Sequence, residues 1–383
     1  MFDFEKRLLK NVDWGIVVIF IILTIVGLLA ISATTSGGQG LQFTSSVKRQ
    51  VMWIAISLVA LIVILCIDYH FFNNAAYLIY AVTILVLIAV FVIGVSRNGA
   101  RRWIIIAGIQ IQPSEFAKIA IVLSLARLLS QKRDRLHDIV GLGMFLGFAL
   151  VPIVLILKEP DLGTSLVVLF IVAVMFFVAG LPWKYITIAG IGSVVAAPIA
   201  WIFMRDYQKN RILTFLNPER DKFGSAYNVI QSRIAIGSGN WQRLTETGTY
   251  VYNVTGKGLF SPDSMTGLKF IPFQYTDFIF SALGEGFGFL GSALIVILFL
   301  TLVYKSVKIA MKAKDLYGAL VVSGLSAMFL FHILENIGMN LGLMPVTGLP
   351  LPFISLGGSS FLANTIALGI ILNIGMRHKK IQF

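Results

Sequence analysis

The sequence predicts an all-α integral membrane protein with ten transmembrane helices and a large extracytoplasmic loop between the seventh and eighth. Three observations carry that reading. Hydrophobic residues make up 57% of the 383 and charged residues only 13%, about half the usual share in a soluble domain. The mean hydropathy is +0.87. Runs such as Ile16–Leu29 and Leu58–Ile67 contain no charge at all. A soluble core cannot hide that much apolar surface, so lipid is the solvent for most of it. Disorder, nucleic-acid binding and a secreted soluble enzyme are excluded.

A span needs about 20 residues to cross the hydrocarbon. The first, 14–34, follows the basic start Met1–Lys10; the second and third cover 50–67 and 75–95. The fourth opens at Pro113 and runs to 130; the fifth and sixth, 139–157 and 162–180, are separated by the turn around Pro160. The seventh is 184–204, and the eighth to tenth, 276–304, 315–338 and 353–376, are punctuated by Gly and Pro. The runs are continuous, where a barrel would alternate over about ten residues. The whole of 1–383 reads as a single polytopic membrane domain, with 205–275 as a loop within it.

Orientation follows from Lys and Arg near the span ends. With the N-terminus inside, the inner segments hold Lys6, Arg7 and Lys10, then Lys132, Arg133 and Arg135, then Lys184, the lysines from 305 to 314, and Arg377 to Lys380. The short outer loops hold fewer, so both termini are expected in the cytoplasm. No cleavable signal is evident, and the single Cys66 lies in an apolar run, so no disulfide framework is expected. The net charge of +13 reflects this placement of loops, together with anion binding on the outer face. The loop 205–275 carries nine Lys or Arg, but long loops cross the membrane regardless of charge. Within it, Tyr227, Ile230 and Ile234 fall at helical spacing and predict a short interfacial helix over Ala226–Ile236. No repeat of fixed period is visible.

Ionisable side chains inside spans are expensive, and each is a functional candidate. Glu115 and Lys118 share one helix face at the start of span four. They form either a self-neutralising pair or a polar wall that positions a substrate; the two readings are compatible. Asp277 opens span eight, where a carboxylate can simply cap a helix. Glu285 lies two turns deeper on nearly the same face, and two acids on one apolar helix are harder to explain as caps. Glu159 and Asp161 flank Pro160 as ordinary turn chemistry. Arg101 and Arg102 beside Trp103, with Lys48 and Arg49, read either as solvated charge or as contacts to a phosphate or pyrophosphate at the outer leaflet.

Phosphate loops, nucleotide fingerprints, Cys/His metal clusters and Gly-x-Ser-x-Gly elbows are absent. Chemistry on the outer side therefore needs a preactivated substrate, and a lipid-linked sugar pyrophosphate meets that need.

Several segments together carry a family resemblance. They are Gly99-Ala-Arg-Arg102-Trp103 with Gln112-Pro-Ser-Glu115-Phe-Ala-Lys118, Lys158-Glu-Pro-Asp161-Leu-Gly-Thr164, and Arg211-Ile-Leu-Thr-Phe-Leu-Asn-Pro218. Tyr227-Asn-Val-Ile-Gln231-Ser, Thr276-Asp277-Phe-Ile-Phe280 and Pro345-Val-Thr-Gly-Leu-Pro-Leu-Pro352-Phe-Ile-Ser-Leu-Gly-Gly-Ser-Ser360 follow in order. The chain resembles the SEDS family (shape, elongation, division and sporulation) over nearly its whole length, and its Pro-Val-Thr-Gly and Glu-Pro-Asp-Leu segments are most like the RodA branch. Three departures stand out: Tyr275 where the family usually has His, Gly286 in place of a second acid, and sixteen residues, 240–255, where a few are typical. Trp241, Tyr250 and Tyr252 lie in that insertion.

The resemblance implies a peptidoglycan glycosyltransferase in the bacterial cytoplasmic (inner) membrane. It would polymerise lipid II on the outer face for cell elongation, release undecaprenyl pyrophosphate, and work with a class B penicillin-binding protein and the elongation machinery. The acid essential to the family maps to Asp277, the polar residues of its fourth-span motif to Glu115 and Lys118, and that of its Pro-Asp-Leu-Gly-Thr motif to Asp161. Asp277 is expected to act as base or to hold a divalent cation, Mg or Mn; no cofactor is otherwise called for, and no metal ligands are assigned. Substrate contacts are expected from Glu115, Lys118, Arg102, Asp161, Arg211 and Glu285, with Lys118, Arg102 and Arg211 as the cationic part. A lipid II flippase, a division-type FtsW-like polymerase and a scaffold for the transpeptidase are the competing readings.

Overall fold

A computed structural model describes residues 11–377 except 98, 99, 107, 205, 222, 223, 225, 240, 241, 245–249, 253 and 254. Trp241 and the basic residues Arg205 and Lys222 therefore lie outside the described residues, as do the Lys and Arg residues of the two termini, Arg377 excepted.

Among the described residues, twelve α-helices follow one another: α1 Trp14–Ser36, α2 Ser45–Cys66, α3 Tyr69–Ile93, α4 Pro113–Gln131, α5 Ile139–Lys158, α6 Leu162–Ala179, α7 Trp183–Phe203, α8 Asp206–Leu216, α9 Tyr227–Ser238, α10 Ile279–Met311, α11 Leu316–Asn340 and α12 Gly358–Met376. Helices thus run through all ten segments expected to span. Counted over the described residues alone, eight are long and apolar enough to cross a membrane. In hydrocarbon a helix satisfies its own backbone, which is why these apolar runs fold this way. Helix α4 falls short because Glu115, Lys118 and Arg127 lie within its 19 residues. It is nonetheless among the most enclosed, buried nearly continuously from Pro113 to Leu129, between α3, α6, α11 and α5. Helix α7 carries a single charge, Lys184, in its 21 residues, and most of its described side chains are exposed.

Side-chain caps start several helices. The Asp13 carboxylate accepts from Ile16 N at α1, that of Asp161 from Thr164 N at α6, and that of Asp315 from Gly318 N at α11. Each satisfies one amide that the first turn leaves unpaired.

Strands appear where none was expected, in the loops. A three-stranded antiparallel sheet, β1 Val95–Arg97, β2 Ala100–Ile106 and β3 Ile109–Ile111, joins α3 to α4. A two-stranded ribbon, β4 Gln242–Leu244 with β5 Tyr250–Tyr252, forms within the insertion. Outside lipid a strand too short to span can pair locally, so apolar composition did not reveal these. The short interfacial helix expected near 226–236 is α9.

Helix α10 kinks at Gly288, whose backbone (φ 63, ψ −160) a side chain would not tolerate. Beside the kink, Lys257 N donates to the Glu285 carbonyl and Gly258 N to the Gly286 carbonyl, both at 3.0 Å. The loop is thereby stitched to α10. Between α11 and α12 the chain makes no regular element over 341–357. Buried irregular backbone needs partners within the protein, and these partners build the site.

Candidate active site

The irregular segment 345–356 collects the motifs. Ser355 Oγ donates to the Thr276 carbonyl (2.6 Å) and Leu356 N to that of Tyr275 (2.9 Å). Asn336 on α11 donates from Nδ2 to the carbonyls of Leu349 (2.7 Å) and Asp277 (2.9 Å), and Asn340 donates to the latter at 3.1 Å. These bonds hold Asp277 from three directions. Gly348 has φ +80, a left-handed turn that favours glycine, and a Cβ there would lie 3.4 Å from Asp277 Oδ2, so the turn lies beside the carboxylate.

Asp277 stands in the turn before α10, outside the helix. Burial pushes its carboxyl up to about 6, against the Arg211 guanidinium and a hydrogen bond from Thr276, which both lower it. Glu335 on α11 is buried and close enough to feel the charges of both Asp277 and Arg211. Its Oε1 accepts from Thr347 Oγ1, and among the described residues its Oε2 has no partner. Arg211 on α8 donates from Nη1 to the Thr347 carbonyl (3.3 Å). Asp277, Glu335 and Arg211 are therefore gathered around Thr347 and Gly348.

Thr347 and Leu349 also pack against Gly163, at the start of α6. There Asp161 Oδ2 accepts from Gln112 Nε2 (3.1 Å), and Asp161 Oδ1 lies 3.8 Å from Arg102 Nη1. Arg102 further donates to the carbonyls of Glu159 and Pro160, latching β2 onto the α5–α6 turn. Glu159 is buried with both carboxylate oxygens unpartnered among the described residues. Burial, with the Asp161 charge added, pushes it up to about 8, opposed by Arg102.

Glu115 and Lys118 sit apart from any described cavity. Lys118, wholly buried, donates from Nζ to Glu115 Oε2 (3.0 Å) and to His332 Nε2 (2.9 Å). An ammonium has nothing with which to accept, so His332 Nε2 is the acceptor and its ring proton sits on Nδ1. That nitrogen faces the Pro350 carbonyl at 3.4 Å. The pair thus ties α4 to α11 and to the Leu349-Pro350 turn.

Glu285 is fully buried and takes five donors: Ser238 Oγ, Lys257 Nζ, Thr266 Oγ1 and the amides of Met265 and Thr266, at 2.8–3.3 Å. It anchors the 257–266 loop to α10 rather than joining the Asp277 group. Glu285→Ala would strand those donors and cost the loop about 3 kcal/mol or more of local stability. Trypsin cleavage after Lys257 should then become fast; cleavage as slow as in wild type would count against this anchoring role.

Sequence reasoning missed a stripe on α11. His332, Glu335, Asn336 and Asn340 are buried polar residues at spacings of three, four and eight, on one face of an apolar helix. The rule that intramembrane polar groups are functional candidates reaches them directly.

A family model described as a cell cycle protein, FtsW/RodA/SpoVE, matches residues 10–380. Among relatives, the peptidoglycan glycosyltransferase MrdB of Escherichia coli K12 is 33% identical, covering 94% of each chain. Stage V sporulation protein E of Bacillus subtilis is 34% identical, over 94% of this chain and 96% of its own. RodA of Treponema pallidum is 32% identical, over 97% and 99%. In solved structures, a chain of a peptidoglycan synthase complex that coordinates polymerization and crosslinking superposes with a TM-score of 0.81 at 29% identity, covering 96% of this chain and 98% of that one. The rod shape determining protein RodA of Thermus thermophilus gives 0.69 at 27%, over the same shares. With the family model spanning nearly every residue and its motifs converging on one irregular segment, the chain belongs to the FtsW/RodA/SpoVE family.

Proposed function

We propose that the protein is a peptidoglycan glycosyltransferase that polymerises lipid II on the outer face of the cytoplasmic membrane, in the manner of RodA. The observation that carries this is the held carboxylate of Asp277, beside Arg211 and at the end of the bundle that bears the long loop.

The donor sugar of lipid II is already activated by its diphosphate. The new bond joins the anomeric carbon of the donor to the hydroxyl oxygen of the acceptor sugar. The bond from that carbon to the diphosphate breaks, and the diphosphate leaves with the electron pair. Attack on the face opposite the leaving group inverts the anomeric centre. Asp277 takes the hydroxyl proton, a general-base role that needs its ionised form. Arg211, beside it, counters charge developing on the leaving group. A carboxylic acid with an ordinary affinity for protons would be a weak base; burial strengthens it.

Two neighbouring carboxylates, Asp277 and Glu335, also suit a divalent cation such as Mg or Mn that arrives on the substrate's diphosphate, since Mg²⁺ binds through one or two carboxylates and phosphate oxygens. When bound it would screen the diphosphate charge. A class B penicillin-binding protein as partner, and cytoplasmic termini, complete the reading; the first is supported by the likeness to a chain of a synthase complex.

The sign of the pH dependence follows. The base works ionised and its carboxyl sits at about 6, so kcat/KM should fall roughly tenfold per pH unit below that point. Arg211 lowers the Asp277 carboxyl, so Arg211→Gln should move the acid limb to higher pH. A rate profile flat down to pH 4 would overturn Asp277 as base. The function itself is tested by incubating purified protein with labelled lipid II: glycan ladders are expected, and transport of lipid II without glycan would put a flippase in its place.

A further inference from the structure

The end of the bundle holding Asp277 contains a cavity of about 190 Å³ between α8, α9 and the segment 342–346. Two arginines line it, Arg211 from α8 and Arg233 from α9. The rest of the wall is mostly apolar: Phe215, Val229, Met344 and Val346 among others. Arg233 is exposed and has no ion-pair partner among the described residues. Its stem is seated by Gly342, a left-handed glycine at φ +72 where a Cβ would come within 2.9 Å of Arg233 Cδ. The glycine keeps open the space that the arginine stem occupies.

We propose that this cavity binds the diphosphate end of a polyprenyl diphosphate, the leaving group of the reaction above, with Arg211 and Arg233 gripping the phosphates and the apolar wall taking the first isoprene unit. The inference rests on the glycosyltransferase reading. Two planar guanidinium forks match the oxygens of two linked phosphates, and apolar walls raise the strength of such charge-assisted bonds. The other cations expected at the site are committed elsewhere: Lys118 to Glu115 and His332, and Arg102 to the α5–α6 turn. The volume suits a headgroup with a short apolar stub and is below that of pockets which enclose whole ligands. Arg211 bridges the two functions, since it lines the cavity and acts on Asp277. Departure of the diphosphate and uptake of the proton thus both occur within the influence of one guanidinium.

The test is titration calorimetry on the full chain in detergent, with farnesyl diphosphate, farnesyl monophosphate and inorganic diphosphate as probes. Wild type should bind farnesyl diphosphate most tightly. Arg233→Gln should bind it about 10- to 100-fold more weakly, the worth of one charge-assisted contact, and Arg233→Lys should fall between. Val229→Phe, which fills the cavity, should weaken farnesyl diphosphate more than inorganic diphosphate. Arg233→Gln and Val229→Phe both binding as wild type would overturn the site. Inorganic diphosphate binding as tightly as farnesyl diphosphate would overturn the lipid part of the assignment. Asp277→Asn separates the two readings: it should bind the probe normally and make no glycan. Glycan from that variant would remove Asp277 as base and leave the binding result standing.

Discussion

Asp277→Asn should reduce glycan polymerisation by about 10²- to 10⁴-fold, the usual contribution of a positioned general base. Asparagine keeps the size of the side chain and can still accept from Thr276, so the turn before α10 should survive. What it loses is the capacity to take a proton. The backbone carbonyl of residue 277, which receives Asn336 and Asn340, is untouched by the change, so a loss of activity cannot be traced to a loosened turn. The measurement compares glycan ladders from wild type and variant on labelled lipid II, with thermal unfolding as the control for folding. Turnover within a few-fold of wild type would remove Asp277 from the chemistry.

Lys118→Met should destabilise the fold by about 3–5 kcal/mol, because it leaves Glu115 charged, buried and without its cation. Glu115 and Lys118 are 3% and 0% exposed, so water cannot substitute for the lost partner. His332 would also lose the donor at its Nε2 and with it part of its hold on the Pro350 turn. The double variant Glu115→Gln, Lys118→Met should recover much of the loss, as replacing a whole buried pair costs far less than breaking one. A double-mutant cycle of unfolding in detergent checks this. If the single variant unfolds within about 0.5 kcal/mol of wild type, a change typical of inconsequential surface substitutions, the pair does not pin α4 to α11.

Several residues show how far the sequence reached. Asp277 was legible because a carboxylate at the mouth of an apolar run is costly and sat within a recognisable motif. Asp161 and Glu115 were legible as motif members, but their partners were not. Asp161 meets Gln112 and Arg102, which lie 49 and 59 positions earlier in the sequence; only packing brings them together. Glu285 read as a second acid on the substrate face. The kink at Gly288 and the returning loop instead supply it with donors more than eighteen residues away in sequence, apart from its own helix. Glu159 reads as turn chemistry, yet its carboxylate is buried with no hydrogen-bond partner among the described residues. The paired strands in the loops had no signal in hydropathy, which measures transfer to lipid and is silent about backbone pairing outside it.

By itself, the sequence determined that this is a membrane protein, where its helices run and which family it belongs to. Hydrophobic length decides the first two, because lipid forces every apolar run to satisfy its own backbone. Tertiary structure alone decided which polar groups meet. The largely buried irregular stretch 345–356 must find hydrogen-bond partners within the protein, and it finds them on α11 and in the turn before α10. That need pulls Asp277, Glu335 and Arg211 around one turn while Lys118 is locked away behind it, a sorting that depends on distances in space and that no spacing along the chain encodes.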